Sequence, residues 1–115
     1  MTAEPRPPEH LSKRSKAFWR KITARYALET EHLEVLRKAL EASDRADEAG
    51  ELLRRDGLTI TDRYGTVKAH PACAVELNNR NAFLRLLEAL RLGQDEARSA
   101  SDSARELVRK RWRSA

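Results

Sequence analysis

Six cations crowd one short stretch of this chain: Lys13, Arg14, Lys16, Arg20, Lys21 and Arg25. No acidic residue lies between Glu9 and Glu29. On a helix, these side chains would hold several positive charges within reach of one polyanion. Neutralised phosphates release their condensed counterions, so such a face is expected to bind nucleic acid with strong salt dependence. A solvated helix face is the common fate of a charge run, but ordinary exposed helices mix both signs. The missing acids are what set this segment apart. Arg63 and Lys68, and further along Arg109, Lys110, Arg111 and Arg113, offer secondary phosphate contacts.

Catalytic groupings are not apparent. None of the four glycines begins a phosphate-binding loop of the G-x-x-x-x-G-K-[ST] kind. His70 and Cys73 lie three apart without a second pair to complete a zinc site, and His10 and His32 stand in separate segments. The chain is therefore expected not to be an enzyme, with no catalytic residue, no metal and no cofactor. A single cysteine excludes an internal disulfide and fits a reducing compartment. No apolar run approaches the ~20 residues of a membrane span, and no membrane association is expected.

The charge is unevenly laid out. Residues 1–28 carry seven Lys/Arg against two acids, whereas residues 29–56 carry five against nine. A basic head beside an acidic middle suits polyanion binding at one end and pairing between subunits through segments of opposite sign. With 115 residues, 36% of them charged and 5% aromatic, the chain suits long exposed helices around a thin core. Such a core is often completed by self-association.

The elements that must position these residues follow from periodicity. Residues 1–10, with Pro5, Pro7 and Pro8, read as an extended arm. Ser12 caps a first helix over about 13–27, with Phe18, Trp19, Ile22 and Tyr26 on one face. That stripe assigns Phe18 and Trp19 to the core, although aromatics can also serve as stacking platforms for bases. Thr30 is expected to cap a second helix over about 31–56, stopped by Gly57. Its inward stripe is expected to be Leu33, Leu36, Leu40, Ser43, Ala46, Gly50 and Leu53, whose small members would let another backbone approach. A short β-hairpin over 58–68 turns at Asp62–Gly65 and, being marginal alone, is expected to pack on the helices. Pro71 opens a third helix over about 71–92, burying Val75, Ala82, Phe83, Leu86, Leu87 and Leu90, with Gly93 as its stop. His70 is read as a residue of the helix start, its imidazole bonded to nearby backbone. The fold expected is mainly α: a helical domain over 11–98, then a flexible basic tail over 99–115. In that tail Leu107, Val108 and Trp112 form an apolar cluster that could anchor a partner.

Three segments in this order carry a family resemblance. The first is Pro8-Glu-His-Leu11-Ser12, followed by Ala17, Trp19 and Ile22. The second is Gly57 and then Gly65-Thr-Val-Lys68-Ala-His70-Pro71-Ala72. The third is Leu90-Arg-Leu-Gly93-Gln-Asp-Glu-Ala97-Arg98. Together they cover roughly residues 8–98, and the chain resembles the small subunit of the terminase that packages DNA in tailed phages. The resemblance implies a helical homo-oligomer, a ring, that binds double-stranded viral DNA in the host cytoplasm. It also implies recruitment of a large terminase subunit, which supplies the ATPase and nuclease. The middle helix departs from relatives in carrying Ser43, Ala46 and Ala49 where aromatic residues are usual. The residues alone also fit a free-standing helical DNA-binding regulator, or a structural adaptor that binds only proteins.

Overall fold

The structure, a computed structural model, describes residues 4–92. It is mainly helical: α1 (Lys13–Arg25), α2 (Thr30–Asp56), strands β1 (Thr59–Thr61) and β2 (Val67–Ala69), and α3 (Ala72–Ala89). The hairpin lies between the second and third helices, as the sequence pattern predicts.

α1 starts where a serine can satisfy an orphan donor. The Ser12 hydroxyl accepts from the Ser15 backbone N–H at 3.1 Å. The helix ends at Arg25, with Tyr26 already extended, about two residues before the expected boundary. α2 begins differently from expectation. Thr30 is its first helical residue, Glu29 is the N-cap, and no side chain caps the turn. At 27 residues it is on the order of 40 Å long. Gly57 ends it at φ 84°, a left-handed conformation that costs glycine little.

α2 and α3 pack along one another as the two arms of a helical hairpin. The face that α2 buries is Leu36, Ala39, Leu40, Ala42, Ala46, Ala49 and Leu53. Leu36, Leu40, Ala46 and Leu53 of the expected stripe are buried, but Leu33, Ser43 and Gly50 are only half-buried, and Ala39, Ala42 and Ala49 take their place on the inward face. A Cβ built on Gly50 would sit 2.7 Å from the Glu76 carboxylate of α3. The close neighbour of this glycine is therefore the end of a flexible side chain of its own subunit.

The main core forms where all three helices meet. Leu11, Trp19, Leu36, Leu40 and Leu90 are buried there, flanked by Phe18, Ile22, Phe83 and Leu87. Phe18 and Phe83 meet edge to face with ring centroids 6.1 Å apart. The Trp19 indole N–H donates to the Pro5 carbonyl at 2.9 Å, so the proline-rich arm lies against α1. A smaller cluster of Ala49, Leu53 and Ala72 closes the other end of the helical hairpin.

The second half of the chain departs from expectation in several places. The β-hairpin does not pack on the helices: every residue of both strands is exposed, including Ile60 and Val67. Its register pairs Thr59 with Ala69, Ile60 with Lys68 and Thr61 with Val67. Its turn is held locally, since Asp62 accepts from the backbone N–H groups of Tyr64 and Thr66. Val75 is exposed as well, because the buried side of α3 follows Ala72, Phe83, Leu87 and Leu90 and Val75 falls on its flank. α3 also stops early. Leu90 caps it and Arg91 turns left-handed at φ 52°, ahead of Gly93, which lies outside the described residues. Pro71 stands at the N-cap rather than inside the first turn.

Candidate nucleic-acid interface

α1 owes its placement to two unlike contacts. On one side Trp19 and Ile22 enter or flank the core; at its N-terminal end the helix is tied to the acidic middle of α2. Asp44 accepts from the Ser12 backbone N–H at 2.8 Å and from the Ser12 hydroxyl at 2.7 Å. It also accepts from the hydroxyl of Ser15, the one buried polar residue among those described. Burial pushes the Asp44 carboxyl upward. The bonds from Ser12 and Ser15, with His10 nearby, outweigh that and hold it below the usual carboxylate range. His10 pairs with Glu41 at 3.0 Å, and Arg14 lies 3.5 Å from Asp47.

These contacts leave the outer half of α1 to the solvent. Lys13, Arg14, Arg20, Lys21 and Arg25 are exposed, and Lys16 is half-buried. The six predicted cations are thus brought onto one helix, but they are not equivalent. Arg14 is held by Asp47, which also lies 3.8 Å from Arg80 of α3. The Arg25 guanidinium stands 5.4 Å from the Tyr26 ring centroid. Lys13, Lys16, Arg20 and Lys21 make no ion pair among the described residues. Trp19 is buried and Phe18 packs edge to face on Phe83, so the aromatics of this helix are core residues rather than an open platform.

The hairpin cations are committed locally. Lys68 pairs with Asp62 at 3.3 Å and Arg63 stacks 5.2 Å from the Tyr64 ring centroid. The bonds from the Thr66 and then the Tyr64 backbone N–H, with Lys68 beside them, outweigh burial and hold the Asp62 carboxyl below its ordinary value. His70 performs the structural task expected of it. Its Nδ1 accepts from the Ala72 backbone N–H at 3.0 Å, which leaves Nε2 to donate to Asp56 at 3.0 Å. Arg55, and then His70, hold the Asp56 carboxyl far below the usual range. This pair ties the end of α2 to the start of α3.

Leu107, Val108 and Trp112, and the basic residues around them, lie outside the described residues. Among the described residues, no group of three or more His, Cys, Asp or Glu is placed to hold a metal ion. No described helix is long and apolar enough to cross a membrane. Neither protein families, curated proteins nor solved structures match this chain.

The sequence reading did not anticipate the Ser12–Ser15–Asp44 cluster or the Arg14–Asp47 pair. One signal was available: Ser15 lies four residues before Trp19, on the apolar stripe, where a hydroxyl needs a buried partner.

Proposed function

We propose that this chain is a DNA-recognition and assembly subunit of a phage packaging terminase, binding duplex DNA through the outer face of α1. The observation that carries the DNA part is the division of that helix. Its apolar side is occupied by the core, and its exposed side offers cations without an interspersed acid. An amphipathic basic helix can also lie on a membrane surface. That use needs a free apolar face, and here Trp19 is buried. The terminase part rests on the resemblance of residues 8–98. It brings with it assembly into a ring, recruitment of the large ATPase and nuclease subunit, and action in the host cytoplasm. Docking of that large subunit through Leu107, Val108 and Trp112 belongs to the same proposal. Self-association has its own support in surface left uncovered: Leu77 and Leu84 on α3 are 60% and 57% exposed, and the hairpin shows Leu58 and Val67.

Duplex binding titrated with salt tests the reading. Replacing Lys16, Arg20 and Lys21 by Glu should weaken binding to every sequence and flatten the dependence on salt. Unchanged affinity would remove α1 from the interface. Light scattering on the same samples addresses assembly, where a monodisperse monomer at micromolar concentration would sink the ring.

A further inference from the structure

The cations of α1 fall into two rows. At about 100° per residue, Lys13, Lys16 and Arg20 occupy an arc of about 60°. Arg14, Lys21 and Arg25 occupy a second arc of about 40° on the other flank. The exposed Ala17 and Ala24 lie between them, at the crest farthest from the core. All eight residues belong to a single 13-residue helix, about 20 Å long.

This division has a geometric consequence. A helix with its side chains is roughly 10–12 Å across, and the major groove of B-form DNA is about 12 Å wide, with a phosphate backbone on each rim. Cations on both flanks of a low crest can reach both rims at once. A helix laid across a single backbone would use one flank and leave the other in water.

We propose that α1 lies lengthwise in the major groove of duplex DNA, with Lys13, Lys16 and Arg20 on the phosphates of one strand and Lys21 and Arg25 on those of the other. The seating rests on the DNA reading above and adds to it a groove, an orientation and a division of labour between the rows. The second row is the weaker because Arg14 is held by Asp47. The crest offers methyl groups rather than hydrogen-bonding side chains at Ala17 and Ala24, so α1 positions the protein on DNA and contributes little sequence discrimination.

The test uses the full chain and duplexes of about 25 base pairs, a length that accommodates the ~20 Å helix several times over. One duplex is unmodified; another carries glucosylated hydroxymethylcytosine, which fills the major groove. A minor-groove-binding drug on the unmodified duplex is the third arm. The glucosylated duplex should bind at least tenfold more weakly, on the order of one lost bidentate contact or more, and the drug should have little effect. Replacing Lys13, Lys16 and Arg20 by Gln should lower the logarithmic salt slope by about 2–3, and replacing Lys21 and Arg25 by about 2. Ala17→Phe, at an exposed position, should match the effect of glucosylation while helical circular dichroism stays unchanged. Equal binding to the glucosylated duplex overturns the groove seating. A slope carried wholly by one row overturns the two-strand contact. An unaltered chain that binds no duplex at low salt removes the DNA reading itself, and the seating with it.

Discussion

α1 and the β-hairpin both display cations and aromatics, and the structure uses them in opposite ways. In α1 the aromatics are inside and five of the six cations, all but Arg14, lack an intramolecular ion pair among the described residues. In the hairpin the tyrosine is 79% exposed, while Lys68 is paired and Arg63 is stacked. Composition alone makes the two look alike as phosphate-binding candidates. What separates them is anchorage: α1 is fixed by the core and by Asp44, so its cations need not stabilise their own element. The hairpin has no core contact, and its polar side chains hold its own turn together.

The largest effect that could break this contrast is on stability. Trp19→Ala should cost about 3–5 kcal/mol, as for other large aromatics cut from a packed core. It also leaves the Pro5 carbonyl without its donor. Tyr64→Ala, at the exposed tip, should stay within about 0.5 kcal/mol. Denaturant melts of the two variants give the comparison directly. A hairpin variant as damaging as the core variant would mean that the hairpin is covered in the assembled protein.

The next effect concerns binding. Reversing Lys16, Arg20 and Lys21 should reduce duplex affinity at least tenfold at ~50 mM salt, given the steep salt dependence of phosphate contacts. Reversing Arg63 and Lys68 should change it by a factor of about two or three, because Lys68 is already paired with Asp62 and the two residues stand on the hairpin, away from the basic face of α1. Fluorescence anisotropy on one duplex measures both. A larger loss from the hairpin pair would move the interface to that end of the molecule.

The helices, the hairpin and its position were legible because each has a local cause: Ser12, Gly57, the Asp62–Gly65 turn and the apolar periods. The burial of Trp19 and the imidazole–backbone bond of His70 were legible on the same grounds. The exposure of the hairpin was not, since marginal stability says that a hairpin needs a partner but not that the partner lies in the same chain. The inward face of α2 was misjudged for a related reason. Alanine carries little weight in a periodicity argument, yet Ala39, Ala42 and Ala49 are buried on α2, and Ala49 packs beside Ala72 of α3. The cations were found, but which of them are committed depends on Asp44 and Asp47. These lie about thirty residues away, and only packing brings them back.

Asp44 sharpens the contrast at intermediate size. Asp44→Ala removes the acceptor of the buried Ser15 hydroxyl and should cost about 1–3 kcal/mol. Its folded carboxyl is depressed, so its stabilising contribution is complete above the ordinary carboxylate value near pH 4 and is lost as pH falls through the lowered folded value. The gap between the unaltered chain and Asp44→Asn should therefore be constant from about pH 5 to 7 and shrink below about pH 4. Melts across that range decide it. A gap that opens toward acid would mean that the protonated form is the one stabilised.

The smallest effect belongs to Asp47, and its sign is the informative part. Asp47 lies 3.5 Å from Arg14 and 3.8 Å from Arg80, and both arginines are largely exposed. Exposed pairs of this kind contribute about 0–1 kcal/mol, so Asp47→Asn should barely move the melting midpoint. The same change removes a negative charge from beside the basic face and releases Arg14 into its row. DNA affinity should therefore rise, by a few-fold, and the logarithmic salt slope should steepen by about one phosphate contact. Two structural roles for Asp47 predict otherwise. If it served only to pin α1 to α2, loosening the helix would lower affinity; if α1 did not meet DNA, affinity would not change. Anisotropy titrations of Asp47→Asn beside Asp47→Asn combined with Arg14→Gln separate the cases. The gain should vanish in the double variant, because it is the freed Arg14 that produces it. A gain that survives loss of Arg14 would instead assign the effect to the general field of the removed carboxylate.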